Sequence, residues 1–321
     1  MRIDPSFIKK CGFFILAFIF ISGCQPNTSD GIHFYKDKQY ERAFSLLKKE
    51  AEDGNGQSQY CLAKMYEEGL GVKPDDRKAL HWYKKASENN DALAQYELGQ
   101  AYYHGKMGLK ADPKEAFRWY LKAAENGNTE AQKKTGIYYF VGKEVGRDNV
   151  KALKWLKKSV QNKNKQDKEI FYYIGSIYYT DGKGLKDTAE AAKWYKKAAE
   201  LGDPDAQAVL GLQYYSGQGV TKDLNKARYW AEKSAEKEND QGELLLGMIY
   251  DFSGNTDRNV EKALRYYEKS AKKNNGAAYY FLAEHYRNGD GVERNRSLAL
   301  KYYKRALDEG FYSAKEKIEE L

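Results

Sequence analysis

From residue 58 onward the apolar positions keep a helical rhythm that resets every 36 to 39 residues. In AQYELGQAYYHG (94–105), Ala94, Leu98 and Tyr102 stand at i, i+4 and i+8, one stripe of a 3.6-residue period. AQAVLGLQYYSG (206–217) and GELLLGMIYDFS (242–253) repeat the pattern. A small residue recurs at Ala63, Gly99, Gly136, Gly175, Gly211, Gly247 and Ala283. Three residues after each comes a tyrosine: Tyr66, Tyr102, Tyr139, Tyr178, Tyr214, Tyr250 and Tyr286. Later in each unit stands Trp82, Trp119, Trp155, Trp194, Trp230, Tyr266 or Tyr302, with an alanine three residues before it. Seven copies in register define seven repeat units.

Each unit predicts two helices. A glycine-containing turn, such as GLGV (69–72), GKGL (182–185), GQGV (217–220) or GDGV (289–292), separates them. The second helix opens at Asp75, Asp112, Asp148, Asp187, Asp223, Asn259 or Asn295, always seven residues before the Trp or Tyr. Asp and Asn are strong N-caps, because the side-chain oxygen accepts from a backbone N–H that has no partner within the helix. Helices this short are marginal alone, so stacking neighbours must stabilise them. The small residue is expected to let two helices approach closely, so that Gly211→Leu would overpack the seam.

The ends of the array differ from its middle. YKDKQYERAFSLLKKEAEDG (35–54) resembles a tetratricopeptide unit, and Leu46 precedes Ala63 by the interval that separates Trp82 from Gly99. SAKEKIEEL (313–321) keeps Ala314 and Ile318 in register while its other positions are mostly charged, as a solenoid's terminal cap requires. The chain is therefore expected to divide into an N-terminal segment 1–23, a tether 24–30, a tetratricopeptide-like unit 31–57, seven repeats over 58–311 and a capping helix 312–321.

The motif A-x-x-x-L-G-x-x-Y-x-x-G-x-G-V followed by D-x-x-x-A-x-x-W resembles that of the Sel1-like repeat family, relatives of the tetratricopeptide repeat. Ala206, Leu210, Gly211, Tyr214, Gly217, Gly219, Val220, Asp223, Ala227 and Trp230 carry it almost complete. Thr135 replaces the leucine of the third repeat, Asn255 stands in the sixth turn, and extra residues fall in QNKNKQDK (161–168). The resemblance implies an all-α, right-handed superhelical solenoid of helix-turn-helix repeats that works as a protein–protein adaptor.

The first residues read differently. Arg2, Lys9 and Lys10 precede an apolar run from Cys11 to Ile21 that is too short to span a bilayer, which needs roughly 20 residues. A basic start, a short apolar middle and the small residues Ser22 and Gly23 match a secretory signal. Ile21-Ser22-Gly23-Cys24 resembles the bacterial lipoprotein box. That resemblance implies acylation of Cys24, removal of residues 1–23 and, with Gln25 next, an outer-membrane anchor facing the periplasm.

Composition changes this picture little. Twenty-eight tyrosines against five prolines suit helices with large amphipathic side chains, and a net charge of +8 over 321 residues does not establish a nucleic-acid binder. The three cysteines, Cys11, Cys24 and Cys61, form neither a disulfide framework nor a CxxC pattern. The GxG turns follow a helix and lack the third glycine of a phosphate-cradling loop. His33, His81, His104 and His285 show no partner spacing, so no metal and no cofactor is expected. Cys61 shares its column with Glu97, Lys134, Tyr173, Val209, Leu245 and Phe281, and so mixed a column predicts a half-exposed position. Some disulfide-rich Sel1-like relatives are described as β-lactam-binding or β-lactamase-like, but their paired cysteines are missing here.

In tetratricopeptide-like stacks the first helices line the concave face. The residue after each repeat tyrosine should point into that groove, which names Glu67, Tyr103, Phe140, Tyr179, Tyr215, Asp251 and Arg287. Three residues before the small position stand Tyr60, Tyr96, Tyr172 and Tyr280. These tyrosines either anchor a peptide or pack against the neighbouring helix. Lysine pairs such as Lys84-Lys85, Lys157-Lys158, Lys196-Lys197 and Lys272-Lys273 should form the solvated opposite face, with attraction to a membrane as a second reading. The expectation is a non-catalytic, lipid-anchored scaffold that binds an unidentified protein or peptide partner. It would serve envelope assembly, regulation of a cell-wall hydrolase or toxin immunity. The alternative is an enzyme acting on cell-wall or β-lactam substrates.

Overall fold

The structure, a computed structural model, describes residues 29–161, 166–180, 184–251 and 258–321. The expected signal segment, Cys24, most of the tether, Asn255 and the middle of QNKNKQDK lie outside the described residues. Regular structure among the described residues is helical throughout, in seventeen helices. None of them is long and apolar enough to cross a membrane. The chain divides into two units, up to Lys134 and from Thr135 on.

In the first unit, α1 (Asp30–Lys36) and α2 (Tyr40–Glu52) precede α3 (Gly56–Glu68), α4 (Asp76–Glu88), α5 (Ala92–His104) and α6 (Pro113–Glu125). The unit boundary falls within α7 (Thr129–Val141). The second unit continues through α8 (Asn149–Ser159), α9 (Lys168–Thr180), α10 (Thr188–Glu200), α11 (Pro204–Ser216) and α12 (Leu224–Ala235). It ends with α13 (Asp240–Asp251), α14 (Val260–Ala271), α15 (Gly276–Asn288), α16 (Arg296–Asp308) and α17 (Ala314–Glu319). In six of the repeats, α3–α4, α5–α6, α9–α10, α11–α12, α13–α14 and α15–α16, the two helices pack as a hairpin, and within each unit a second helix also packs on the next first helix, as α4 does on α5 and α12 on α13.

Caps start these helices where the sequence placed them. All seven predicted Asp and Asn residues accept from the backbone N–H three residues on, as in Asp75 to Lys78 at 3.0 Å and Asn295 to Leu298 at 2.9 Å. A second set, which the motif did not flag, caps the first helices: Asn55, Asp91, Asn128, Asp203 and Asn275 among them. The turn glycines have a steric task. Gly219 has φ +78°, and a Cβ there would stand 2.1 Å from the Thr188 carbonyl oxygen at the start of α10. Gly71 and Gly291 press on Tyr40 and Val260 in the same way, and at these turns only a residue without a side chain fits.

The seam between paired helices is built differently from the aromatic column that the sequence displays. The Trp column is mostly half-buried, whereas the residue after each member is fully or nearly fully buried: Tyr83, Tyr120, Leu156, Tyr195, Ala231, Tyr267 and Tyr303. Its side chain lies over the small residue of its own repeat. A Cβ on Gly99 would meet the Tyr120 ring at 2.6 Å, and one on Gly247 would meet Tyr267 at 2.5 Å. Gly211 is the exception: Ala231 leaves the space open, and Leu245 from the following first helix fills it, 2.8 Å from such a Cβ.

A buried amide clamp joins successive repeats. The side-chain amides of Gln59, Gln95, Gln132 and Gln207 donate to the carbonyls of Ala51, Ser87, Ala124 and Ala199, eight residues earlier, at 2.9 to 3.2 Å. The Gln59 and Gln95 carbonyls in turn accept from Asn89 and Asn126, both at 2.9 Å. Such buried amides are costly unless bonded, so they fix the stacking register as well as stabilising it.

Candidate partner-binding face

On each first helix, the positions at −3, −2, +1 and +4 from the small residue share one face, since they follow one another at helical spacing. In the first unit this face is polar. Lys64 lies 3.1 Å from Glu67, 2.8 Å from Glu68 and 3.9 Å from Glu97. Glu67 also accepts from the buried Tyr83 hydroxyl at 2.6 Å. Burial pushes the Glu67 carboxyl upward, but the hydrogen bonds from Tyr83 and Lys64 outweigh it and hold the group below its usual range. Glu97 has weaker support, and burial raises it.

The same columns are apolar toward the end of the second unit. Ala208, Val209 and Leu212 of α11, Leu244, Leu245 and Met248 of α13, and Ala277 and Phe281 of α15 surround a cavity of about 300 Å³, with Gln241 and Phe311 at its margins. Leu212 is 38% exposed, a high value for a leucine on a helix that packs on both sides. A cavity of this size lined by apolar side chains suits one or two large apolar groups of a ligand.

Phe281 also borders a polar cluster at the other side of α15. His285 is buried, with Nδ1 2.8 Å from the Asp290 carbonyl oxygen and Nε2 3.2 Å from Asp251 Oδ2. Both neighbours are acceptors, so both ring nitrogens must donate and the imidazolium form is favoured. Burial opposes that charge, but Asp251 and Asp290 outweigh it and raise the His285 pKa. Asp251 is likewise pushed up by burial, yet His285 and Arg258 bring it below its ordinary value. The donor atoms of Asp251, His285 and Asp290 lie close enough together to suggest a metal. Arg258 Nη2, however, stands 2.5 Å from Asp290 and 3.3 Å from Asp251, so a guanidinium already balances the carboxylates. The cluster is an ion-pair network, in which His285 is a buried member that no motif spacing announced.

The sequence-predicted site residues fall into distinct roles. Tyr60, Tyr96, Tyr172 and Tyr280 each lie against the buried ring of their own repeat, at 6.1, 5.7, 5.8 and 5.6 Å from Tyr83, Tyr120, Tyr195 and Tyr303. Burial pushes the Tyr60 hydroxyl up to about 12. Glu67 and Asp251 sit in the networks above, and Arg287 pairs with Glu320 at 3.2 Å. Phe140 meets Tyr173 edge-on at 5.3 Å, and the Tyr179 hydroxyl donates to Gln218 at 2.8 Å. Tyr215 is half-buried, with its hydroxyl raised by burial and by the charge of Asp251, which brings these two predicted residues into one neighbourhood. Tyr103 is 48% exposed.

None of these eleven residues lines the apolar cavity. The signal that could have found it was the column dismissed as mixed: Val209, Leu245 and Phe281 are apolar where Glu97 and Lys134 are charged. Cys61, in the same column, is a further correction. It is 5% exposed rather than half-exposed, because α1 and α2 cover it with Ile32, Ala43 and Leu47, and burial raises its thiol to about 12.

Comparison with known proteins agrees with this construction. The Sel1 repeat model matches residues 56–91, 92–128, 129–164, 172–203, 204–239, 241–275 and 276–311, so the chain belongs to the Sel1-repeat family. Its fold is the all-helical solenoid of that family, whose members act as protein–protein interaction scaffolds. A protective antigen of uropathogenic Escherichia coli displaying an SLR fold is 29% identical, with a TM-score of 0.65 over 99% of this chain and 67% of that one. A Sel1 repeat protein from Oxalobacter formigenes is 26% identical, with a TM-score of 0.59 over 92% and 82%. Chitin synthase regulatory factor 3 of Schizosaccharomyces pombe is 29% identical over 172 residues, 53% of this chain and 15% of that protein. The chain thus spans only a small part of the length of the curated relatives it matches.

Proposed function

We propose that this protein is a non-catalytic scaffold that holds a protein partner by seating apolar side chains in the cavity on α11, α13 and α15. The observation that carries the reading is the apolar lining of that cavity on an open first-helix face, at columns that are charged in the first unit. Burying a few leucine-sized groups there contributes about 1.5–3 kcal/mol each, enough to anchor a segment whose remaining contacts are polar. Similar proteins are named as a chitin synthase regulatory factor and as a ubiquitin-ligase component, names that fit a chain serving another protein's activity. Cys24, acylated after removal of residues 1–23, would hold the scaffold at the bacterial outer membrane facing the periplasm. Envelope assembly, hydrolase regulation and toxin immunity are roles that such a position allows.

A photocrosslinking residue at Met248, which also lines the cavity, tests the groove directly. Cells carrying it should yield one crosslinked partner, which Leu212→Glu in the same chain abolishes and Lys168→Glu, on α9, leaves intact. A partner captured equally by the Leu212→Glu variant overturns the assignment. Turnover of a chromogenic β-lactam or of purified cell wall by the isolated protein would favour the enzyme alternative. Labelled palmitate incorporated by the wild type and not by Cys24→Ala tests the anchor separately.

A further inference from the structure

Charge in the second unit is sorted by helix layer. The second helices α8, α10, α12, α14 and α16 carry seventeen lysines and arginines against six carboxylates. The first helices α9, α11, α13 and α15 carry two against six. First helices α11 and α13 touch each other directly, which leaves the second helices to form the other layer. In α8 the imbalance is complete: four lysines and no acid in eleven residues. None of Lys154, Lys158, Lys301 and Lys304 has a carboxylate partner among the described residues.

The aromatics of this layer are arranged with the lysines. Lys158 lies 5.1 Å from the centre of the Trp155 ring, and Lys197 lies 4.0 Å from that of Trp194, each one turn further along its helix. Tyr229 beside them in the layer sequence is 51% exposed. Indole faces already covered by ammonium groups offer no platform on which bases could stack, which disfavours a single-stranded nucleic acid. An ammonium on a long stem above an amphipathic ring is instead the arrangement that suits a bilayer's headgroup level.

We propose that the second-helix layer of this unit is a polybasic surface that lies against an anionic phospholipid bilayer, leaving the first-helix face free for its partner. Each lysine near an anionic leaflet favours binding by about fivefold, so a handful of them acting together is decisive at physiological salt. The surface works with or without acylation of Cys24.

The full chain, reconstituted by detergent removal into vesicles of phosphatidylcholine alone or with about one-third phosphatidylglycerol, tests this by lysine acetylation read residue by residue. The expected result is protection of Lys154, Lys158, Lys301 and Lys304 by about fivefold or more on the anionic vesicles only, while Lys168 on α9 stays equally reactive on both. Protection should vanish in about 1 M NaCl, where the screening length falls to about 3 Å. Replacing the four lysines by Gln, with helicity unchanged, should weaken binding to the anionic vesicles by more than about tenfold and leave binding to phosphatidylcholine unchanged. Equal reactivity of the four lysines on both vesicles overturns the proposal, even if the chain floats with both through a lipid anchor. Equal protection by a soluble polyanion such as polyphosphate also overturns it, because the surface would then be a general anion binder and not a membrane face.

Discussion

The first-helix face around α3 and α5 and the one around α11, α13 and α15 are built on the same repeat frame, yet one is a web of carboxylates around Lys64 and the other an apolar cavity. Much of what lies beneath the two faces matches. Both have a small residue under a buried side chain, an Asp or Asn at the start of each second helix, and a glutamine clamping a backbone carbonyl. The contrast shows that the frame needs only the inward columns. The outward columns are then open to whatever a ligand demands, and the positions at which two copies of a repeat diverge are those to examine for function.

The frame is the first thing to attack. Gly99→Leu and Gly247→Leu force a side chain onto a ring already in contact, and each should cost about 3 kcal/mol or more, read as a lower urea midpoint. Gly211→Leu should cost less, because Leu245 is a flexible neighbour where the other two positions face an aromatic ring. Equal losses at all three would mean that the exception at Ala231 has no energetic meaning. The faces come next. Leu212→Glu should weaken partner binding by more than tenfold while shifting the melting temperature little, since Leu212 is exposed and exposed substitutions usually stay within about 0.5 kcal/mol.

Acidity separates the faces further. His285 has a raised folded pKa, so its contribution to stability is complete below the unfolded value of about 6.5 and is lost as pH rises through the folded value. Asp251 is depressed, so its contribution is present above about 3.9 and lost as pH falls through the folded value. The midpoint difference between wild type and His285→Gln should therefore be largest near pH 5.5 and shrink toward pH 9. Glu97 behaves oppositely: its raised pKa makes its charged form a penalty at neutral pH that disappears below about 4.3. Glu97→Gln should stabilise the protein at pH 8 and do little at pH 4. A His285→Gln difference that is flat across this range would dissolve the ion-pair reading.

The smallest effect should be blind to the comparison. Asp112→Ala and Asp223→Ala remove equivalent caps in the two units, and each should cost about 1 kcal/mol. A large inequality would show that the repeats do not share one frame after all.

Much of that frame could be read from residue spacing. Seven small residues in register, the tyrosine three later and the caps before each second helix all sit where the pattern placed them. Their physics is local: a cap bonds within its own first turn, and a helical stripe follows from 3.6 residues per turn. The candidate site was less legible. Glu67 and Asp251 could be assigned to first helices from spacing, but their bonds to Tyr83 and His285 depend on side chains 16 and 34 residues away. Tyr60, Tyr96, Tyr172 and Tyr280 could have been anchors or packing; each rests on the buried ring of its own repeat while staying half-exposed.

What the amino-acid sequence determined by itself was therefore everything that repeats: the helix pairs, their caps and turns, and the inward stripe that makes them stack. Only the tertiary structure decided that Tyr83 and its equivalents, one residue past the Trp column, fill the seam. It alone showed that α1 and α2 bury Cys61, and that Val209, Leu245 and Phe281 open onto one cavity. A repeating contact adds a term at the same place in every unit and so leaves a period in the sequence. A contact made once, between residues from three different helices, leaves none.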